Sequence, residues 1–449
     1  MLDQNLSIFD LLIAPLYIFI AWVIANFIQK KYLYSHAEYK YFTYGLTAKI
    51  AGAVGLGLVY FYYYKGEGDT VAYFESAKAY VNLFFKNKDD FFEGWLGSAK
   101  GIDYYFFDES TGYPIYSHRD LNTFFVVRLL IPIVALSFKS YFASAVLTAC
   151  ITYTGLWKLY QTFLQEFPTL KRELAIAILF LPSCVFWGSG LAKDSFTLSA
   201  VGWFTYSFYH FFIKKKIKSI YVIELLVSAF IILAIKPYIL FALLPGAILW
   251  LSNQQITKIK NSTLQLFATP LLILIGAGLA YYALTKMGDS LGNYKIDKVM
   301  DRAVLVQQDM KAEYYGGKSF DIGNFDASIA GVVSKAPIAI FSGIFRPAIW
   351  DVRNIVMLIS SIENTYLLIL TIFLLIRLKV FGFFILIRKN PLLLFSMLFS
   401  LFFAFSVGLT VANFGSLVRL RIPELPFFVS GLFIMRHLYE KQSGTKVRF

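Results

Sequence analysis

Apolar residues run along this chain in long unbroken blocks separated by short polar intervals, instead of alternating at the period of a strand. A helix needs about 20 such residues to cross a bilayer. The runs that fit, or nearly fit, are 8–28, 43–64, 141–164, 174–190, 194–213, 220–235, 238–252, 263–285, 354–376, 391–411 and 425–436. The pattern predicts an all-α polytopic integral membrane protein of about eleven transmembrane helices, built as a single membrane domain over 1–449. The segment 122–137 is short, carries Arg128 and Pro132 and ends at Lys139, which suits a re-entrant or interfacial helix better than a full crossing.

The basic residues set the sides. Lys30, Lys31 and Lys40 follow the first run, Lys158, Lys171 and Arg172 follow a later one, and Lys214, Lys215, Lys216 and Lys218 form the densest cluster. Lys258 and Lys260, then Arg377, Lys379, Arg388 and Lys389, then the tail with Arg436, Lys441, Lys446 and Arg448, complete the set. Placing all of these in the cytoplasm gives one consistent threading, with the N-terminus outside and the C-terminus inside. The outer face then receives the loop 65–121, the corners near 190–194 and at Lys236-Pro237, the loop 286–337, and the segments 346–353 and 413–424.

Composition agrees with the pattern. Of 449 residues 58% are hydrophobic and 16% charged, and the mean hydropathy is +0.61, more apolar surface than a soluble chain can bury. The net charge of +14 sits in short clusters between apolar runs, the positive-inside distribution and not a nucleic-acid footprint. Cys150 and Cys184 lie inside apolar runs and read as small core residues, with no disulfide or metal framework. Met1 to Phe9 carries only Asp3, so the first run is expected to stay as an anchor and not to be cleaved as a leader.

The outer loops hold the candidate chemistry. In KGEGDTVAYFESAKAY, Glu67 and Asp69 stand between glycines at a helix mouth, with Gly66 and Gly68 as hinges. The stretch that follows has helical spacing of Val71, Phe74, Ala77 and Val81, which fits either an amphipathic helix on the membrane surface or one packed on its own bundle. The loop ends at His118 and Arg119; His118 is a proton carrier or an ordinary loop histidine. At the next corner Asp194 complements a helix N-terminus, and Lys193 either pairs with an acid or holds a phosphate. Lys236 precedes a proline that splits an apolar stretch in two, and Arg346 and Arg353 flank Asp351. Arg419 and Arg421 sit in VANFGSLVRLRIPELPFF, either as headgroup anchors or as anion ligands. Glu363 falls about ten residues inside its run, near mid-membrane depth, and intramembrane acids are functional candidates by default. Together Lys193, Lys236, Arg346, Arg353, Arg419 and Arg421 describe a basic, outward-facing rim able to grip phosphate at the level of lipid headgroups.

GEGDTVAYFESA resembles the acidic first-loop motif of GT-C-fold glycosyltransferases, and RLRIPELPFF is similar to their Arg-x-Arg-x-Pro-x-x-Pro pattern. FWGSGLAKDS, IKPY and FRPAIWDVRN are similar to corners of bacterial envelope proteins of polysaccharide synthesis. The resemblance implies a GT-C-like architecture in the bacterial cytoplasmic (inner) membrane. It also implies transfer of a sugar from a polyprenyl-phosphate carrier to a glycan or protein acceptor on the outer face. It puts Asp69, with Glu67 behind it, as the acid that serves the acceptor hydroxyl, and Arg419 and Arg421 on the carrier phosphate. Lys193, Lys236 and Arg346 join them by topology. The chain departs from the family in having Gly-Asp-Thr in place of a paired Asp-Glu and an extra helix before the acidic loop. A divalent cation could assist, but no tight ligand cluster is visible and no metal site is expected. Partners would be the lipid-linked donor, the acceptor, the bilayer and a membrane complex, with no nucleic acid. The alternatives are an O-antigen-type polymerase relying on its arginines, a transporter for a lipid-linked glycan, and a non-catalytic membrane scaffold.

Overall fold

The computed structural model of the chain describes residues 8–97, 103–116, 120–256 and 320–443, apart from 324 and 327, together with 271, 278, 304 and 305. The expected span 263–285 and the loop 286–337 lie largely outside these residues, as do His118 and Arg119. Among the described residues every regular element is helical. The principal ones are α1 (Ile8–Leu33), α2 (Phe42–Leu58), α3 (Asp69–Lys86), α4 (Lys88–Leu96), α5 (Leu121–Leu136) and α6 (Tyr141–Glu166). Next come α7 (Lys171–Leu179), α8 (Pro182–Trp187), α9 (Lys193–Phe208), α10 (Ser219–Ile235) and α11 (Pro237–Ile256). The last group is α12 (Ile329–Ser334), α13 (Ala336–Phe345), α14 (Ile355–Lys389), α15 (Pro391–Thr410), α16 (Phe414–Leu420) and α17 (Leu425–Ser443).

Four segments are long and apolar enough to cross a membrane, Leu12–Leu33, Ala37–Tyr63, Met357–Lys389 and Pro391–Thr410. A fifth arises if α5 and α6, bent by 113° at their junction, count as one broken span or re-entrant pair. The bilayer reading rests on what these helices leave uncovered. Along α14, Ile355, Ile359, Ile362, Tyr366, Ile369 and Ile376 are all exposed, while Leu367, Leu370 and Leu374 on the opposite side are buried. A continuous apolar stripe at helical spacing cannot stay in water, and lipid is the solvent that suits it. Several expected spans are shorter than the sequence blocks. The run 174–190 breaks at Phe180, because Pro182 supplies no N–H to continue the ladder and restarts the chain as α8.

The chain divides into two compact units. Unit 1 takes Met1–Gln161, Cys184–Ser207 and Val222–Lys236; unit 2 takes Thr162–Ser183, Phe208–Tyr221 and Pro237–Phe449. In unit 1, α3 is no surface helix. Its Val71, Tyr73, Phe74, Tyr80, Val81 and Leu83 are buried, and Tyr80 meets Phe124 of α5 with ring centroids 5.5 Å apart. Packing on its own bundle is therefore the outcome of the two readings. The loop after α4 is pinned by an ion pair from Lys86 to Asp108, and that hydrogen bond holds the Asp108 carboxyl well below the usual carboxylate range.

Unit 2 closes around stacked aromatic rings. Phe427 of α17 meets Phe399 and Phe395 of α15 at 5.0 and 5.7 Å, and Trp250 of α11 stacks on Phe395 at 5.0 Å. Small residues let the backbones themselves touch. A Cβ on Gly343 would lie 2.3 Å from the Ala404 carbonyl oxygen, and one on Gly408 would lie 2.0 Å from that of Ala339. Lipid-immersed helices gain little from the hydrophobic effect against one another, so close approach of this kind supplies the dispersion energy that holds α13 on α15. Gly408→Ala is expected to lower stability by about 1–3 kcal/mol through overpacking, read as the shift of a thermal melt in detergent. Gly382→Ala, where a Cβ meets nothing closer than 3.9 Å, should be neutral or slightly stabilising.

Candidate functional site

In unit 1 three chain corners meet. α10 ends at Ile235 and α11 starts at Pro237, so Lys236 occupies the break, its N–H donating to the Ile232 carbonyl at 2.8 Å. The Lys236 ammonium pairs with Asp194 in the first turn of α9, and the two side chains are only 7% and 1% exposed. Asp194 also sits where the α9 dipole favours a negative charge. Its neighbour Lys193 is half-buried and donates to Thr123 Oγ1 at 2.5 Å. Thr123 is held in turn by Asp120, the N-cap of α5, which accepts its backbone N–H at 3.2 Å. Asn122 donates to the Ala234 carbonyl at 2.7 Å, tying the same α5 terminus to the end of α10.

The acids of the first loop take a different setting. Gly66 and Gly68 have φ of 78° and 110°, left-handed values open to glycine. A Cβ on Gly68 would also strike the Tyr60 ring at 2.6 Å. These two residues turn the chain so that Asp69 becomes the first residue of α3. Asp69 is half-buried, and its Oδ1 accepts from Tyr116 Oη at 3.4 Å. One residue on, Thr70 Oγ1 accepts from Tyr141 Oη at 2.9 Å. Glu67 is exposed.

Unit 2 gathers the remaining predicted residues. Arg421 is fully buried; its Nη1 donates to the carbonyls of Ile344 at 2.8 Å and Arg346 at 3.0 Å, and its Nη2 to Asn364 Oδ1. Asn364 is oriented by its own donation to the Pro347 carbonyl at 2.6 Å. Arg346 forms a two-point pair with Asp351, 3.0 Å from Nε and 2.6 Å from Nη2. Burial would raise the Asp351 carboxyl, but the Arg346 guanidinium and the Ala348 N–H outweigh it and hold the group below its usual value. Glu363, buried in α14, accepts the Ser183 backbone N–H at 2.8 Å through Oε2. Arg353 is exposed and Arg419 half-exposed.

The predicted outward-facing rim therefore needs correction. Lys236 and Arg421 do not present their charge outward, because each is buried and committed to protein acceptors. Arg346 is matched by Asp351. Of the six rim cations, Lys193, Arg353 and Arg419 keep substantial exposure. Three further polar residues stand out only in the fold. Lys49 of α2 is 2% exposed and donates to the Gly188 carbonyl at 2.6 Å. Asn364 follows Glu363 directly, and Glu424, between Pro423 and Leu425, is fully buried. A lone Lys inside an apolar run and an acid beside a proline in another are the signals the chain offers for them. Among the described residues no three His, Cys, Asp or Glu side chains lie close enough together to hold a metal ion.

Breaking the Asp194–Lys236 pair from either side should be costly. Asp194→Asn or Lys236→Met is expected to destabilise unit 1 by about 3–5 kcal/mol, since the partner charge stays buried alone. The double variant should recover most of the loss, as a double-mutant cycle of thermal melts would show. As to known proteins, no protein-family model, no curated protein and no solved structure matches this chain.

Proposed function

We propose that the chain is a membrane glycosyltransferase of GT-C type that moves a sugar from a polyprenyl-phosphate carrier to a glycan or protein acceptor. The reaction would take place on the outer face of a bacterial cytoplasmic membrane, in a chain of about eleven spans with its N-terminus outside. The observation that carries the reading is the placement of Asp69, a half-buried carboxylate at a helix mouth, aimed by two left-handed glycines and bordered by the Tyr116 hydroxyl. That is a setting in which an acid can accept a proton from an acceptor hydroxyl as the hydroxyl oxygen attacks the anomeric carbon. The bond to the carrier phosphate then breaks with its electron pair leaving on phosphate oxygen, where a cation stabilises the charge. Within the same unit Lys193 is the cation assigned to that role, and Arg353 and Arg419 remain phosphate candidates in unit 2.

A second reading, transport of a lipid-linked glycan, gains support from one observation. The sequence offers Glu363 and Arg128 as intramembrane charges, whereas the fold also buries Lys49, Arg421 and Glu424, and charges inside a membrane bundle are a mark of translocation paths. The two readings separate on one substitution. With purified protein in vesicles and a radiolabelled polyprenyl-phosphate sugar, Asp69→Asn should slow sugar transfer by about 10²–10⁴-fold, the range for loss of a general base. Unchanged transfer in Asp69→Asn, with loss on replacing Arg353 or Arg419, would point to the polymerase instead. Movement of labelled lipid across the vesicle that ignores Asp69 and stops in Lys49→Met would establish the transporter.

A further inference from the structure

Among the described residues of unit 2 the buried charges do not balance. Arg346 and Asp351 cancel each other. The remaining group is one cation, Arg421, and two acids, Glu363 and Glu424, with relative exposures of 0%, 8% and 0%. Arg421 is the charged side chain that acts electrostatically on both acids. With both acids ionised the group carries a net charge of −1, and a net charge on groups buried this deeply is heavily penalised.

The hydrogen bonds identify where the imbalance lies. Glu424 is held rigidly by its backbone. Its N–H donates to the Arg421 carbonyl at 3.0 Å, and its carbonyl accepts from Phe427 and Phe428, each at 3.0 Å, and from Ser400 Oγ at 3.3 Å. Its two side-chain oxygens, by contrast, accept no hydrogen bond from the described residues, and Glu363 Oε1 has the buried Ser183 hydroxyl as its nearby donor. Ionised carboxylates this deep normally collect several donors, and Arg421 spends three of its own on the carbonyls of Ile344 and Arg346 and on Asn364. Two buried Glu424 oxygens without a described donor, beside a surplus negative charge, are what one added proton would correct. It would neutralise the group and turn one acceptor into a donor.

We infer that Arg421, Glu363 and Glu424 form a proton-binding site, which takes one proton from water and holds it on one of the two carboxyl groups when the chain is folded. The site ties several helix ends together. Glu363 holds the Ser183 N–H at the start of α8, and Arg421 holds the C-terminal carbonyls of α13. Losing the proton would restore the net charge and load those links, so the packing of unit 2 responds to pH. This holds whether or not the chain transfers sugar.

The stoichiometry gives the test, on the purified full-length chain in nanodiscs. The wild type should show the infrared carbonyl band of a protonated carboxyl group at neutral pH, shifted in deuterium oxide. Since the folded state binds a proton that the unfolded state has released, its unfolding equilibrium should worsen as pH rises, by up to about tenfold per pH unit until the site deprotonates. Glu424→Gln leaves one cation and one acid, so the band should disappear and the alkaline loss of stability should flatten. Glu363→Gln makes the same prediction independently, should the first variant fail to fold. A wild type without the band, or a band surviving in both variants, overturns the inference. So does alkaline stability that rises with sodium and not with choline, because a metal cation would then be the counter-charge.

Discussion

The guanidinium of Arg421 is the interaction on which unit 2 depends. A helix leaves its last carbonyls without intrahelical partners, and inside an apolar bundle no water replaces them. α13 ends at Phe345 in that situation, and the orphaned carbonyl of Ile344, with that of Arg346 just beyond, is met by Arg421 Nη1. The other nitrogen reaches Asn364 in α14, which in turn caps the Pro347 carbonyl. One side chain thus satisfies the turn between α13 and α14 from across the unit, and the planar fork of arginine is what reaches acceptors in several directions at once. The Arg346–Asp351 pair then fixes the outer part of the same turn. A lysine at 421 could not supply this geometry.

Unit 1 answers the same accounting with a pair. The chain breaks twice, before α9 and between α10 and α11, and each break brings a charge of opposite sign, Asp194 at a helix start and Lys236 at a helix end. Each side chain suits the local dipole, and their contact cancels what burial would otherwise penalise. Charges that look like headgroup anchors along the chain are therefore internal braces. Among the described candidates, the groups left within reach of a ligand are Glu67, Asp69 and Lys193 in unit 1 and Arg353 and Arg419 in unit 2.

Much of the helical layout is legible in the apolar blocks, since each block must close its own backbone hydrogen bonds once it leaves water. What the blocks do not show is which side of a helix faces inward. Along α14 the apolar Ile355, Ile359 and Ile362 are exposed and the equally apolar Leu367 and Leu370 buried, so hydropathy alone does not tell the two faces apart; the polar Ser360, Ser361, Glu363 and Asn364 mark the inner one. Block lengths mislead where proline intervenes, as at Pro182. The convergence of corners is readable in outline from the threading. Its sense is not, because whether a cation points to headgroups or to an acid depends on partners 42 residues away for Lys236 and 57 to 77 away for Arg421. Glu424 offers no readable partner at all, and its significance comes from the hydrogen bonds its carboxyl oxygens lack.

The two buried groups differ in one respect that matters for chemistry. The Asp194–Lys236 pair closes at zero charge, whereas Arg421 with Glu363 and Glu424 closes only with a proton added. The pH response that follows has its source inside unit 2. It acts through the helix ends that Glu363 and Arg421 hold, and so through the stability and packing of the unit.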